Sequence, residues 1–209
     1  FGRADVFNTV LGRSWVERTE SITFDDRGRR TWQKYVDERR LEVACGEGPY
    51  LVSRYDAATG DSIGLGRRIG LLDRKLRVVT ENVHSDDEWR TWARRAVESV
   101  YGFEYQGDSL LLARENVLAT YEDYARAALG SAPSAAELRG IATVISWNIW
   151  QMDLLTGRPP LQADAADENQ LDLFTEQSVG VVRSCLIRDW RAKRTHTYAH
   201  LTATGGATS

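Results

Sequence analysis

Cysteine is scarce in this chain: Cys45 and Cys185 are the only two among 209 residues. Two cysteines build neither a disulfide framework nor a zinc-ligand pattern. A reduced, cytoplasmic setting is therefore expected. The three histidines, His84, His196 and His200, show no metal-like spacing beyond one His-x-x-x-His pair in a polar stretch. That pair reads as solvent-exposed rather than as a metal site. No apolar run approaches the length that spans a membrane, and no secretory leader is visible. The formal charge is only −3, so nothing demands a polyanionic partner, although a local basic face is compatible with it. Methionine occurs once, at Met152, and the first residue is Phe1, so an upstream N-terminal part is expected. There is no internal repeat.

What remains suits one domain of ordinary size with a true core. Hydrophobic residues make up 42% of the chain, which excludes disorder throughout. Seven tryptophans read as core rather than as base-stacking groups. Residues 1–34 read as an irregular opening segment, with one strand near Ser21–Phe24 and a basic loop at Arg27–Arg30. Thr31 caps a short helix running to Arg40. Residues 41–45 form the first buried strand. A short helix follows from Pro49 and ends between Asp56 and Gly60.

Residues 60–85 read as an insertion, helical or extended, with an apolar core at Ile69, Leu71, Leu72, Leu76, Val78 and Val79. Asp86 caps a helix over 87–100, and Val100–Glu104 is a second strand. Asp108 or Ser109 opens a long helix that stops near Gly130. Ser134 and Glu137 form a capping box for a helix through Trp147. Asn148–Asp153 reads as a third strand. Residues 1–160 then make one cofactor-binding domain. Residues 161–201 form a C-terminal extension with a polar linker at 161–172 and an apolar element at 179–190, and 202–209 a flexible tail. Alternation of strands and helices predicts an α/β fold: a Rossmann-like, parallel-dominated sheet with helices on both faces.

In such sheets ligands sit beyond the carboxyl ends of the strands. Three of those ends carry matching chemistry. The first strand runs into Cys45-Gly46-Glu47-Gly48, a small-residue turn that lets a ligand approach the main chain. Amides of a following helical turn would face that ligand. The second strand ends in Glu104, whose carboxylate can accept from ribose hydroxyls. The third ends in Asp153, which can accept from a purine amino group or simply cap the turn at Leu154–Leu155. These are the needs of a nucleoside cofactor. Cys45 reads as a small buried residue rather than a nucleophile, because no histidine lies near it in sequence.

The segment Glu42-Val43-Ala44-Cys45-Gly46-Glu47-Gly48-Pro49-Tyr50-Leu51 resembles the first motif of S-adenosylmethionine-dependent DNA adenine methyltransferases. Tyr101–Gln106, followed by Leu111-Leu112-Ala113-Arg114-Glu115-Asn116, is similar to the second. Asn148–Leu155 is similar to the third. A closer likeness, in the runs Pro49–Asp56, Arg68–Arg77 and Ile145–Asp153, is to phage and bacterial methylation subunits of restriction-modification systems. It covers roughly residues 1–190.

The resemblance implies a methyltransferase fold, S-adenosylmethionine as cofactor, DNA as partner and a place in a restriction system. It implies that Ala44, Gly46 and Gly48 line the methionine part of the cofactor, with Cys45 and Pro49 in the same loop. Glu104 would hold the ribose, Asp153 would lie near the adenine, and Glu42 would serve one charged end of the methionine. The family's catalytic loop reads Asn/Asp/Ser-Pro-Pro-Tyr/Phe, and it acts on a flipped base. The nearest match here is Arg158-Pro159-Pro160-Leu161, in which arginine cannot accept a hydrogen bond. Catalytic residues are therefore unassigned, and a non-catalytic or partner-dependent subunit is the alternative. A Pro-Cys loop for attack on a cytosine ring is absent. The Asp…Glu-x-Lys cluster of a metal-dependent nuclease has no convincing copy. The basic runs at Arg67–Arg68, Arg74–Arg77 and Arg188–Arg194 can contact phosphates or form a solvated face balanced by acids.

Overall fold

The computed structural model describes residues 20–24, 31–56, 58–160 and 184–200. Expectations for 1–19, for the basic loop at 27–30, for the linker at 161–172 and for the tail at 202–209 lie outside those residues. Five α-helices and five strands are found among the described residues: α1 (Trp32–Asp37), β1 (Arg40–Val43), α2 (Leu71–Asn82), α3 (Asp86–Glu98), β2 (Val100–Glu104), α4 (Gly107–Leu129), α5 (Ala135–Asn148), β3 (Ile149–Gln151), β4 (Leu186–Asp189) and β5 (Arg194–Thr197).

The first three strands form a parallel sheet in the order β1-β2-β3. Val43 lies beside Phe103, and Phe103 beside Trp150. Each crossover between neighbours runs through two helices, α2 and α3 first, then α4 and α5. Parallel neighbours need such long connections. The fold is thus α/β with a parallel sheet, as the alternating pattern predicts.

The two faces of the sheet differ. Cys45, Val100 and Ile149 join the buried apolar residues of all five helices in one core, with Leu72, Leu76, Trp89, Tyr121 and Ile141 at its centre. Tyr101, Phe103 and Met152 point the other way and pack with Cys185 and Ile187. That second face carries the antiparallel β4–β5 ribbon, where helices were expected. The Tyr198 ring meets Phe103 edge-on at 6.1 Å. Side chains alternate across a strand, so one strand supplies both clusters.

Side-chain caps fix three of the five helix N-termini among the described residues. The Thr31 hydroxyl accepts from the Lys34 amide, and Ser134 from that of Glu137. Ser85, not Asp86, caps α3, accepting from the Glu88 amide. Glu88 returns the bond to the His84 amide at 3.0 Å, just before the cap. Gly130 stops α4 in the left-handed conformation at φ 67°. The segment at Ser21–Phe24 is not a strand; Ile22 and Phe24 instead pack against the helical core.

The helix expected from Pro49 does not form. One turn closes, with the Val52 amide donating to the Gly48 carbonyl at 2.9 Å. The Ser53 amide then donates to Asp73 Oδ2 at 2.7 Å instead of continuing the ladder. The chain stays irregular, with a short 3-10 turn at Leu65–Arg67, until α2 begins at Leu71. Local propensity lost to a tertiary acceptor on α2.

Candidate functional site

The carboxyl ends of β1 and β2 meet at the glycine turn. Ala44, Gly46 and Gly48 all have positive φ, at 51°, 54° and 78°. Glycine adopts such angles at little cost; alanine does not, so Ala44 holds the one strained backbone of the three. The turn is tied down at several points. The Cys45 amide donates to the Phe103 carbonyl at 2.9 Å, and the Gly48 amide to the Cys45 carbonyl at 2.8 Å. A Cβ on Gly46 would meet nothing within 4 Å, so the outer side of the turn is open. A Cβ on Gly48 would touch Leu51 and Ala113, so this residue faces inward.

Glu104 reaches the same turn. Its Oε2 accepts from the Gly46 amide at 2.6 Å and its Oε1 from the Gln106 amide at 2.9 Å. Each carboxylate oxygen offers two acceptor sites, so Glu104 keeps capacity for further donors. Gly102, in the middle of β2, lets the strands close behind the turn. A Cβ there would lie 2.9 Å from Leu51 Cδ1, 3.1 Å from Cys45 Sγ and 3.3 Å from Ile149 Cδ1.

Cys45 is buried, and desolvation followed by the nearby Glu42 and Glu104 charges pushes its thiol up to about 12. A thiol held so firmly protonated is no nucleophile. Burial pushes the Glu42 carboxyl up to about 7, against the lowering effect of the Leu51 and Tyr50 amides. Its Oε2 is buried with no hydrogen-bond partner. Pro49 is partly exposed at the far side of the turn.

Asp153 stands differently. The Met152 amide donates to the Glu104 carbonyl at 2.8 Å, so the end of β3 does lie beside the end of β2. The Asp153 carboxylate, however, accepts from the Leu155 amide at 2.9 Å and closes a local turn. Its main chain pairs with Arg158 in an isolated bridge. The structure thus joins Gly46 with Glu104, sets the backbone of Asp153 nearby, and uses the Asp153 side chain as a turn cap.

The helical amides expected to face the crevice are committed elsewhere. In the single turn that follows Gly48, the Val52 amide donates to the Gly48 carbonyl at 2.9 Å and the Ser53 amide to Asp73 Oδ2 at 2.7 Å. Sequence reasoning also missed what braces the turn from outside. Asn116 on α4 donates to the Glu47 carbonyl at 3.0 Å and to the Tyr55 hydroxyl at 3.4 Å. Tyr55 donates to the Glu47 carboxylate. Asn116 was visible only as a letter in a motif; its spacing to Glu47, 69 positions away, carries no local signal.

Several arginines of the basic runs have structural partners. Arg68 is buried and pairs with Asp123 at 2.9 Å, and Arg54 joins the same carboxylate at 2.7 Å. Arg77 donates to three carbonyls at Leu65, Gly66 and Arg68. Arg188 lies over the rings of Trp147 and Trp190. Arg67 is exposed. No cluster of three metal-ligating side chains exists among the described residues, and none of their helices is long and apolar enough to cross a membrane.

No protein family, no curated protein and no solved structure matches this chain.

Proposed function

We propose that this chain binds S-adenosylmethionine at the Cys45–Gly48 turn and is a DNA methyltransferase of a restriction-modification system, acting on the adenine amino group. The observation that carries the reading is the 2.6 Å bond from the Gly46 amide to the Glu104 carboxylate. It brings the ends of two adjacent parallel strands, 58 residues apart in sequence, to one point at the carboxyl edge of the sheet, where α/β folds take their ligands.

The residues present fit the cofactor in three respects. The turn is open at Gly46, the buried Glu42 Oε2 has no partner, and Glu104 retains acceptor sites. Glu104 would accept the ribose hydroxyls. Glu42 would receive the methionine ammonium, and the main chain at Ala44–Gly48 would lie along the methionine. When bound, S-adenosylmethionine supplies an electrophilic methyl group on its sulfonium sulfur. Asp153 Oδ1 already accepts from the Leu155 amide, so Oδ2 would be the oxygen offered to the adenine amino group. DNA as partner rests on exposed arginines such as Arg67, and a cytoplasmic setting goes with the DNA.

A second reading has its own observation. Beyond β3, where an acceptor for the target amine belongs, stands Arg158-Pro159-Pro160, and the Arg158 carbonyl is already taken by the Asp153 amide at 2.8 Å. This favours a cofactor- or DNA-binding subunit whose catalytic loop comes from elsewhere. Calorimetry with S-adenosylmethionine on the chain, on Gly46→Asp and on Glu104→Ala tests both. Binding that both substitutions abolish supports the cofactor site. A folded chain that binds nothing removes it. Binding without methyl transfer to DNA selects the second reading.

A further inference from the structure

We infer that Asn116 and Tyr55 are positioning residues that lock the Glu47–Gly48 peptide plane, and with it the cofactor turn; the functional part of this inference rests on the reading just proposed. A peptide plane rotates as a unit, so holding both its ends prevents a flip. The carbonyl of this plane accepts from Asn116 Nδ2 at 3.0 Å. Its amide, on Gly48, donates to the Cys45 carbonyl at 2.8 Å on the opposite side. Gly48 sits at φ 78°, a conformation that glycine leaves as readily as it enters. The turn therefore needs an external brace, and α4 supplies it.

Tyr55 completes a closed ring of contacts. Its hydroxyl donates to the Glu47 carboxylate and accepts from Asn116 at 3.4 Å. Glu47 is thus held at both its carbonyl and its side chain. The hydrogen bond to Glu47 holds the Tyr55 phenol above its ordinary range, so it stays protonated and keeps donating. Helix α4 is itself fixed to the sheet, because Arg114 donates twice to the Ile149 carbonyl at 3.0 and 2.7 Å. A continuous chain of contacts runs from β3 through Arg114 and Asn116 to the glycine turn. The turn's shape is then set before any ligand arrives, which reduces the ordering cost of binding.

The test follows amide hydrogen exchange by NMR on the whole chain, with global stability and S-adenosylmethionine affinity measured alongside. The variants are Asn116→Ala, the isosteric Asn116→Asp and Tyr55→Phe. We expect the Gly48 amide to exchange about tenfold faster in the Asn116 variants, while amides of α3 keep their protection. Affinity for the cofactor should fall about five- to tenfold. Tyr55→Phe should show a smaller change in the same direction, because the Asn116–Glu47 bond persists. Unchanged Gly48 protection in both Asn116 variants overturns the inference. Protection lost evenly across α3 and the turn also overturns it, since Asn116 would then support only the fold. If the wild-type chain binds no S-adenosylmethionine, the cofactor reading falls, and the exchange data alone decide whether the plane is locked.

Discussion

The Glu104 carboxylate spans two main-chain donors that belong to different strand ends, the Gly46 amide at 2.6 Å and the Gln106 amide at 2.9 Å. Glu104 is 8% exposed, whereas Gly46 is half-buried and Gln106 exposed, so losing the carboxylate falls mainly on the Gly46 amide, where water replaces it less readily. A buried donor left without an acceptor costs about 1–3 kcal/mol. Glu104→Gln keeps the shape but turns one acceptor into an amide donor. It should lower stability by about 1–3 kcal/mol, read as a shift in urea midpoint with unchanged slope. A midpoint within error of wild type would show that the bond to Gly46 contributes nothing.

Local chemistry made much of this architecture readable before the structure. The Ser134 cap on the Glu137 amide, the Thr31 cap and the Gly130 stop all stand where expected, while the Glu137 carboxylate accepts from the Tyr121 hydroxyl at 2.7 Å instead of closing a capping box. The apolar stripe Leu72, Leu76 and Val79 follows helical spacing and is buried. The Ser85 cap on the Glu88 amide, with Glu88 reaching back to the His84 amide, was equally legible, yet Asp86 competed for the role. The site was half legible. Glu104 could be placed because strand ends locate residues, whereas the Asn116 brace depends on how α4 packs over the turn. The helix expected at Pro49 failed for the same kind of reason. Its fourth amide, at Ser53, found a buried carboxylate on α2, and nothing in the local sequence announces that partner.

Gly102 is a packing requirement as much as a motif letter. The three side chains that a Cβ would meet, Leu51, Cys45 and Ile149, are all buried. Overfilling a closed core costs about 1–3 kcal/mol. Gly102→Ala should therefore destabilise by about that much. The closest atom is Leu51 Cδ1 at 2.9 Å, so removing it should relieve the clash. In a double-mutant cycle, Leu51→Val with Gly102→Ala should be more stable than the sum of the two single changes predicts. Simple additivity would place the strain elsewhere.

Glu42 gives the site a pH dependence with a defined sign. Its carboxyl is ordinary at 4.5 in the unfolded chain and is raised to about 7 by burial. Between those values the folded state holds a proton that the unfolded state has lost. The contribution to stability is thus fully present below about 4.5 and disappears as pH rises through about 7. Glu42→Gln should flatten that fall, which denaturation at pH 5 and pH 8 would measure. If a ligand ammonium pairs with Glu42, binding must also expel the proton below pH 7. Calorimetry in buffers of different ionisation enthalpy should then report proton release for wild type and none for Glu42→Gln.

Lys75 holds α1 against α2 and the start of β2. Its ammonium is 1% exposed and donates to the Val36 carbonyl at 3.0 Å, to the Ser99 hydroxyl at 2.5 Å and to the Glu38 carbonyl. Three donors meet three acceptors, which is the full capacity of the group. Two of those acceptors are carbonyls at the end of α1, where the helix has no further amides to offer. Desolvation pulls the Lys75 ammonium down to about 7, so the bonds offset a burial that disfavours the charge. Lys75→Met fills a similar volume but leaves the Glu38 carbonyl without this donor. Ser99 still donates to the Val36 carbonyl at 2.8 Å, which softens the loss at that position. The expected cost is about 1–3 kcal/mol, and α1 amides should lose more exchange protection than those of α4. An equally stable Lys75→Met chain would mean that packing alone holds α1, and that desolvating the ammonium cancels everything its three bonds contribute.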